Sequence, residues 1–443
     1  MKYIAKFEIL IIGLIFIICA SNINWGKDRW KDIIATDGKG YYAYLPAIFI
    51  YHDSSFSFHN EIEEKYYPPY SRYDYRIKYG ELTINKYFAG IAIAELPFFA
   101  IAHVCALIFH QPADGYSFPY QVAINIAAIF YTLAGFWFLK KWLQQNNFKT
   151  ALISITLLCL AFGTHLFYYA VDDASLSHAY SFGITSAFIF LADQFFRNKS
   201  EKRWQLLVAL LAWIILIHPV NGIIVMALPF LAGNKRALLE GIAFVLRKKT
   251  IFILSLLLLF CIPGIQLLAY FWQTGHFFVY TYGSEHLDIL QPHFMDFLFS
   301  YKKGLFIYTP ILFLSLFGFL HFAKTNKWQL ITLSGFLIIL IYVLSCWSVW
   351  WYGGSFSQRP VIEFLPFFAF LLCHFFQLFK KRIPAIIVGT AFLFLIVLNQ
   401  VQIYQYRYNV IHWENMDKEH YWRVFLRIDQ IMKNENANKD LLR

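Results

Sequence analysis

Asp37 is the carboxylate best placed for chemistry in this chain. It stands in ATDGKGYYAYLPA (residues 35–47), directly after the first long apolar segment, where a hydrophobic helix would leave a bilayer. A carboxylate at a membrane surface can take a proton from a water-borne substrate while the second reactant stays dissolved in lipid. Gly38 and Gly40 let the backbone turn sharply or approach a ligand, and Tyr41, Tyr42 and Tyr44 offer rings that could stack on a sugar face. An Asp-Gly turn closing the first helix, with the tyrosines anchored among headgroups, fits the same residues equally well. Asp74, in YSRYDYR, could neighbour Asp37, though a solvated loop charge is the plainer reading there.

Four further polar clusters interrupt the apolar pattern. VDDASLSHAYSF (171–182) sets Asp172, Asp173, Ser177 and His178 in one short connection. A carboxylate beside a histidine can bind a divalent cation or relay a proton, although two adjacent acids cannot both face one ion from a regular helix. The alternative is a polar loop with a helix cap. HPVN (218–221) marks a broken span, read here as a structural kink with a locally bonded His218. SYKKGLFIYTP (300–310) places Lys302 and Lys303 where a lipid-linked phosphate would need cations, with snorkelling to headgroups as the plainer alternative. WSVWWYGGSFSQRP (347–360) is the densest cluster. Trp351 and Tyr352 supply stacking surfaces, Gln358 a polar head, and Arg359 a planar fork suited to phosphate.

The elements that must carry these residues are membrane helices. The 443 residues are 59% hydrophobic and 15% charged, against about 45–50% and about 25% in ordinary globular chains. A soluble multi-domain protein is thereby excluded. A net charge of +11 invites a nucleic-acid partner, but the basic residues form short clusters between apolar runs, where they fix topology instead. The six cysteines stand singly in apolar segments, without disulfide or metal spacing. The N-terminal run after Lys2 and Lys6 reads as an uncleaved first helix, since further spans follow.

Windows of about 20 apolar residues predict eleven spans, near 7–24, 119–139, 150–170, 178–196, 204–217, 222–233, 250–270, 304–323, 329–347, 361–379 and 383–400. With these spans the lysine and arginine clusters fall on one side, assigned to the cytoplasm. The segments 25–118, 171–178, 271–303 and 347–360 then lie outside. Residues 87–110 are long enough to cross, but crossing would reverse every later cluster, and Glu95, Pro97 and His103 interrupt the run. An interfacial or re-entrant helix on the outer leaflet is expected there. The chain thus divides into a membrane domain (1–400), including the first outer loop, and an extracytoplasmic tail (401–443) whose NENANKD end is polar enough to fray.

These features resemble the GT-C superfamily of membrane glycosyltransferases, which includes the protein O-mannosyltransferases and the aminoarabinose transferases of lipid A. The resemblance rests on Asp37 soon after the first span, an interfacial helix within that loop, the polar connection from Asp172 to His178, and the late Gly353–Pro360 loop. The chain departs from the pattern in having a lone Asp followed by Gly and LTINKYFAG where a PPL-type motif would stand. The resemblance implies an all-α, GT-C-like, inverting transferase of a bacterial plasma membrane with its site facing the exterior. The donor would be a sugar on a polyprenyl-phosphate lipid. The acceptor is left open, no cofactor is implied outright, and a divalent cation is left open. The resemblance carries a role onto Asp37 alone, as the base, while the residue types and placement of Arg359, Lys302 and Lys303 make them the expected phosphate holders. Tyr41, Tyr42, Asp172, Asp173, His178, Trp351, Tyr352 and Gln358 would line the substrates. A flippase of lipid-linked saccharides, or an inactive envelope scaffold, is the alternative.

Overall fold

Long runs of Leu, Ile, Phe and Ala leave a backbone in lipid one way to satisfy its polar groups, by hydrogen-bonding within a helix. The computed structural model describes residues 4–379 and 381–430 and is helical almost throughout. Lys2, Lys380 and the NENANKD tail lie outside the described residues. In chain order the helices are α1 (Ile4–Ile23), α2 (Asp37–Pro46), α3 (His59–Tyr66), α4 (Gly90–Ile108), α5 (Phe118–Gln145), α6 (Thr150–Gly163), α7 (Leu166–Val171), α8 (Ser177–Arg197), α9 (Glu201–Ile217) and α10 (Leu228–Leu231). There follow α11 (Lys235–Leu246), α12 (Lys249–Thr274), α13 (Phe294–Phe299), α14 (Leu305–Tyr308), α15 (Pro310–Leu316), α16 (Gly318–Phe322), α17 (Lys327–Ser345), α18 (Leu365–Phe376), α19 (Arg382–Arg407) and α20 (Lys418–Val424). Among the described residues the one sheet is a hairpin, β1 (Arg76–Tyr79) and β2 (Leu82–Asn85), paired antiparallel with Arg76 opposite Asn85.

Among the described residues six helices are long and apolar enough to cross a membrane: α4, α5, α12, α17, the run Arg359–Phe376 that ends in α18, and α19. Five of them coincide with expected spans. The chain is therefore a membrane protein built of helices. Other expected spans take a different form. Residues 150–170 break into α6 and α7, where Thr164 Oγ1 donates to Leu160 O (2.7 Å) and accepts from Leu166 N (3.3 Å). Residues 222–233 are not one span but a 3₁₀ stretch, Pro219–Ala227, plus the single turn α10. Side-chain caps open several helices, as where Asn234 accepts from Ala237 N and Asn326 from Gln329 N. Gly275, at φ +74°, ends α12.

The chain divides into two compact units. The first comprises Ile9–Trp142 and Tyr169–Ser284. In it α5 and α8 run close together, and a Cβ on Gly183 would stand 2.5 Å from Tyr131 O. One end of this unit gathers the end of α1 and the starts of α5 and α8. Asn24 Nδ2 donates to Val171 O (2.5 Å), Trp25 Nε1 to Asn125 Oδ1 (2.9 Å), and Ala35 N to Ser175 Oγ (3.1 Å). The end of α9 joins them through Ser177 Oγ and His218 Nε2, 2.8 Å apart. Helix α4 meets this end twice. Trp213 Nε1, on the last turn of α9, donates to Gly90 O (3.0 Å), and His103 Nδ1 lies 2.6 Å from Tyr120 OH at the start of α5. Between these two contacts Tyr131 OH, from the middle of α5, donates to Ala94 O (3.3 Å).

The second unit comprises Met1–Glu8, Leu143–Tyr168 and Glu285–Arg443. Its apolar centre packs Cys159 of α6, Ile311 of α15, Leu372 and Phe375 of α18 and Phe392 of α19. Of the residues expected as a separate tail, those up to 430 are described, and they pack in this unit. Helix α19 runs on to Arg407, and its amides hold the returning chain: Gln402 Nε2 donates to Tyr421 OH (2.8 Å) and Gln405 Nε2 to Val424 O (2.7 Å).

Candidate functional site

Asp37 opens α2, and the residue before it is strained. Thr36 holds φ 46° and ψ −130°, a conformation that β-branched residues rarely adopt and that clusters at functional sites. The strain lets Asp37 start a helix packed tightly on the connection after α7. A Cβ on Gly38 would fall 2.0 Å from Ser175 Oγ, so glycine sets that spacing. The 172–178 connection and the Asp37 turn are therefore neighbours, and Asp172 and Asp173 lie half-buried in it.

The half-buried Asp37 carboxylate is held by tyrosines. Tyr87 OH donates to Asp37 Oδ1 at 2.7 Å, and Tyr73 OH reaches the same oxygen at 3.4 Å. The two phenols also share a very short hydrogen bond. Burial first, then the charge of Asp37, pushes the Tyr87 phenol far above its ordinary value, so it remains a donor at any working pH. The ring of Tyr41 packs edge-on against Tyr87, centroids 4.9 Å apart. Its hydroxyl lies 3.4 Å from His218 Nε2, which also meets Ser177 Oγ. His178 stacks on His218, centroids 6.3 Å apart and planes 16° from parallel. Asp37, Tyr73, Tyr87, Tyr41, His218, Ser177 and His178 thus form one polar cluster.

Behind this cluster sits a buried ion pair. Lys39 Nζ donates to both Glu63 oxygens (2.8 and 2.9 Å) and to Ser71 O (3.0 Å), and lies 3.4 Å from the centroid of the Tyr67 ring. Glu63 accepts in turn from Tyr73 N (3.2 Å), which anchors the segment that delivers Tyr73 to Asp37. An apolar groove of about 580 Å³ opens between α2, α4 and α12, lined by Tyr44, Leu45, Phe49, Ala92, Leu268 and Trp272. Tyr44 OH donates to Tyr87 O (2.7 Å), so one backbone segment serves both groove and carboxylate.

The other expected residues form a cationic cluster in the second unit. Lys303 is buried, donating to Ser355 O. Burial first, then Arg359 and Lys302, holds its ammonium well below the ordinary lysine range, with Glu414 as the opposing charge. Lys302 Nζ sits over the Trp351 ring, 3.8 Å from its centroid. The backbone around these residues is also unusual: Tyr352 and Ser357 have φ of 53° and 59°.

The remaining singled-out residues are placed as follows. Tyr42 is fully buried, its hydroxyl given to Gly115 O and its ring packed edge-on against Phe99 and Tyr116, so it offers no face to a sugar. Gln358 is wholly buried and its amide has no hydrogen-bond partner among the described residues. It belongs to the floor of the cluster and not to its surface. Tyr352 spends its hydroxyl on Leu344 O at the end of α17 (2.8 Å). Asp74 is exposed and clasped by Arg76, with Nε 2.9 Å away. Among the described residues no group of three or more His, Cys, Asp or Glu side chains could hold a metal ion. Conversely, Tyr73 and Tyr87 are not among the expected site residues, and the sequence reading makes His218 a kink, whereas Ser177 belongs to the expected 171–182 connection. Tyr73 and Tyr87 carry no periodic signal, and only the fold brings them to Asp37.

No protein-family model matches this chain, and comparison with curated proteins finds no match.

Proposed function

We propose that the protein is a GT-C-like glycosyltransferase that moves a sugar from a polyprenyl-phosphate lipid to an acceptor hydroxyl at the outer face of a bacterial plasma membrane. The observation that carries this reading is the Asp37 cluster, a carboxylate aligned by Tyr87 and bordered by serine and histidines, one backbone segment away from an open apolar groove. In the reaction the acceptor oxygen attacks the sugar's anomeric carbon as the bond to the phosphate oxygen breaks. The acceptor proton passes to Asp37, and the lipid phosphate leaves with the electron pair. A dianionic leaving group needs cations to stabilise it, the role expected from the residue types of Arg359, Lys302 and Lys303. The apolar groove suits the prenyl chain.

Purified protein in lipid discs, given radiolabelled polyprenyl-phosphate sugars and cell-envelope acceptors, tests the reading. Transfer should fall about 10²–10⁴-fold in Asp37→Asn, the usual worth of a general base, while donor lipid still binds. Transfer at the parental rate in the Asn variant would leave Asp37 a turn residue. Lipid-linked sugar that changes leaflet without losing its sugar would point to a flippase instead.

A further inference from the structure

Helix α11 has three faces where an ordinary surface helix has two. Its residues Gly241 and Val245 are buried, and Leu238 and Phe244 pack on a cluster of Phe195, Phe196 and Ile251. At 100° per residue, Leu239, Ile242 and Leu246 then fall together on a separate stripe beside that core face. They are 54%, 47% and 63% exposed. Exposed Lys235 stands at the first position of this stripe, and Arg236 and Arg247 project from a third side. An apolar stripe between a core face and a charged face is the pattern of a helix lying in a bilayer interface.

The surroundings point the same way. The chain bends by 119° between Pro219–Leu231 and α11, so α11 turns aside from the direction of the segment before it. Asn234 caps its start, and Lys248 pairs with Glu201 at its end, fixing it beside the start of α9. Lys199 and Arg236 both reach Glu240 (3.0 and 2.8 Å). Lys202, Lys235, Arg247 and Lys249 stand close by in sequence with no ion pair among the described residues. Helix α8 runs from the His218 contact at Ser177 to Arg197 over 21 residues, about 30 Å at 1.5 Å per residue. This basic band thus lies at the far end of the unit from Asp37.

We propose that α11 and the basic residues around it dock on the anionic phospholipid headgroups of the adjoining leaflet, with Leu239, Ile242 and Leu246 dipped among the acyl chains. The occupant is lipid and not a second protein, because the stripe is only three residues wide, flanks a membrane-spanning helix (α12), and is bordered by unpaired cations that match an anionic surface.

Hydrogen exchange on the full-length protein tests this, in discs of phosphatidylcholine alone and in discs with added phosphatidylglycerol. Amides of residues 234–249 should exchange at least about tenfold more slowly with phosphatidylglycerol present, since each basic group near an anionic surface contributes on the order of a fivefold preference. Combined Lys202→Gln, Lys235→Gln, Arg247→Gln and Lys249→Gln substitutions should erase that difference while leaving exchange in α8 unchanged, which reports an intact fold. Leu239→Asn with Leu246→Asn should raise exchange of the same amides in both disc types. Equal exchange in the two lipids for the unaltered protein overturns the proposal, as does a lipid difference that survives the glutamine substitutions.

Discussion

At the scale of single residues, the arrangement around Asp37 separates basicity from position. Tyr87 donates to Asp37 Oδ1 at 2.7 Å and cannot itself ionise. That hydrogen bond fixes the direction in which the carboxylate faces an acceptor proton. Removing it in Tyr87→Phe should lower kcat roughly fivefold, for the loss of one bond of about 1 kcal/mol, while donor affinity stays unchanged. A loss of donor affinity with kcat unchanged would show that Tyr87 serves binding and does not position the carboxylate. The cationic cluster makes a different demand. Arg359 lies close enough to Lys303 to depress its ammonium, and such crowding of like charge is relieved when an anion enters. Arg359→Ala should weaken donor-lipid binding by about 1.5–3 kcal/mol, the worth of one charge-assisted contact. Titration of labelled donor into the variant measures this, and an unchanged affinity removes Arg359 from the phosphate site.

At the scale of elements, what the sequence made legible follows from what hydropathy measures. The spans at 119–139, 250–270, 329–347, 361–379 and 383–400 are uniform apolar runs, and helices stand at each. The unreadable elements are those whose environment is protein and not lipid. In α8 the polar His178, Ser181, Thr185, Ser186 and Asp193 are all buried, so its helix was legible but its surroundings were not. The β1–β2 hairpin was missed although RIKYGELTIN carries a two-residue turn with Gly80 at φ +60°, a recognised hairpin signal. Asp37, the Asp172–His178 connection and the Lys302–Arg359 cluster stand out in the sequence as polar breaks beside apolar runs, whereas the contacts of Tyr87 and Tyr73 with Asp37 needed the fold. The Lys39–Glu63 pair was equally invisible, because residues 24 positions apart give no pattern. It is a buried pair that ties α2 to α3, and breaking one partner leaves an uncompensated charge. Lys39→Met or Glu63→Leu alone should destabilise by about 3–5 kcal/mol, and the double variant by much less. Thermal unfolding of the four proteins in one detergent gives the coupling; additive losses would show that the two side chains act independently.

At the scale of the whole molecule, membrane burial confines the pH response to the layer of loops. Only 15% of residues are charged, and the apolar helices carry few of them, so acid acts mainly where titratable groups are packed outside the spans. His59 is the group placed to respond near neutrality. It is buried at the start of α3, its ring edge-on to Tyr75. Burial first, then Arg76, and to a lesser degree Lys39, pulls it from 6.5 to about 4, against the smaller opposing pull of Asp74. Asp74 stands 3.7 Å away but is already committed to Arg76, which limits what it can offer a protonated imidazole. The sign follows directly. Between pH about 6.5 and about 4 the unfolded chain binds a proton at this histidine and the folded protein does not, so stability is full above that window and falls as the pH drops through it. Glu63 acts in the opposite sense, since burial raises its pKa despite Lys39, and Asp74 is held below its ordinary value and loses its contribution only at lower pH. The raw melting curve therefore mixes signs, and the difference between parent and His59→Gln isolates the histidine. That difference should vary with pH only between about 4 and 6.5, with the variant gaining on the parent as the pH falls. Melting temperatures at half-unit steps would check it, and a difference that stays constant across the window would mean that His59 accepts its proton in the folded state.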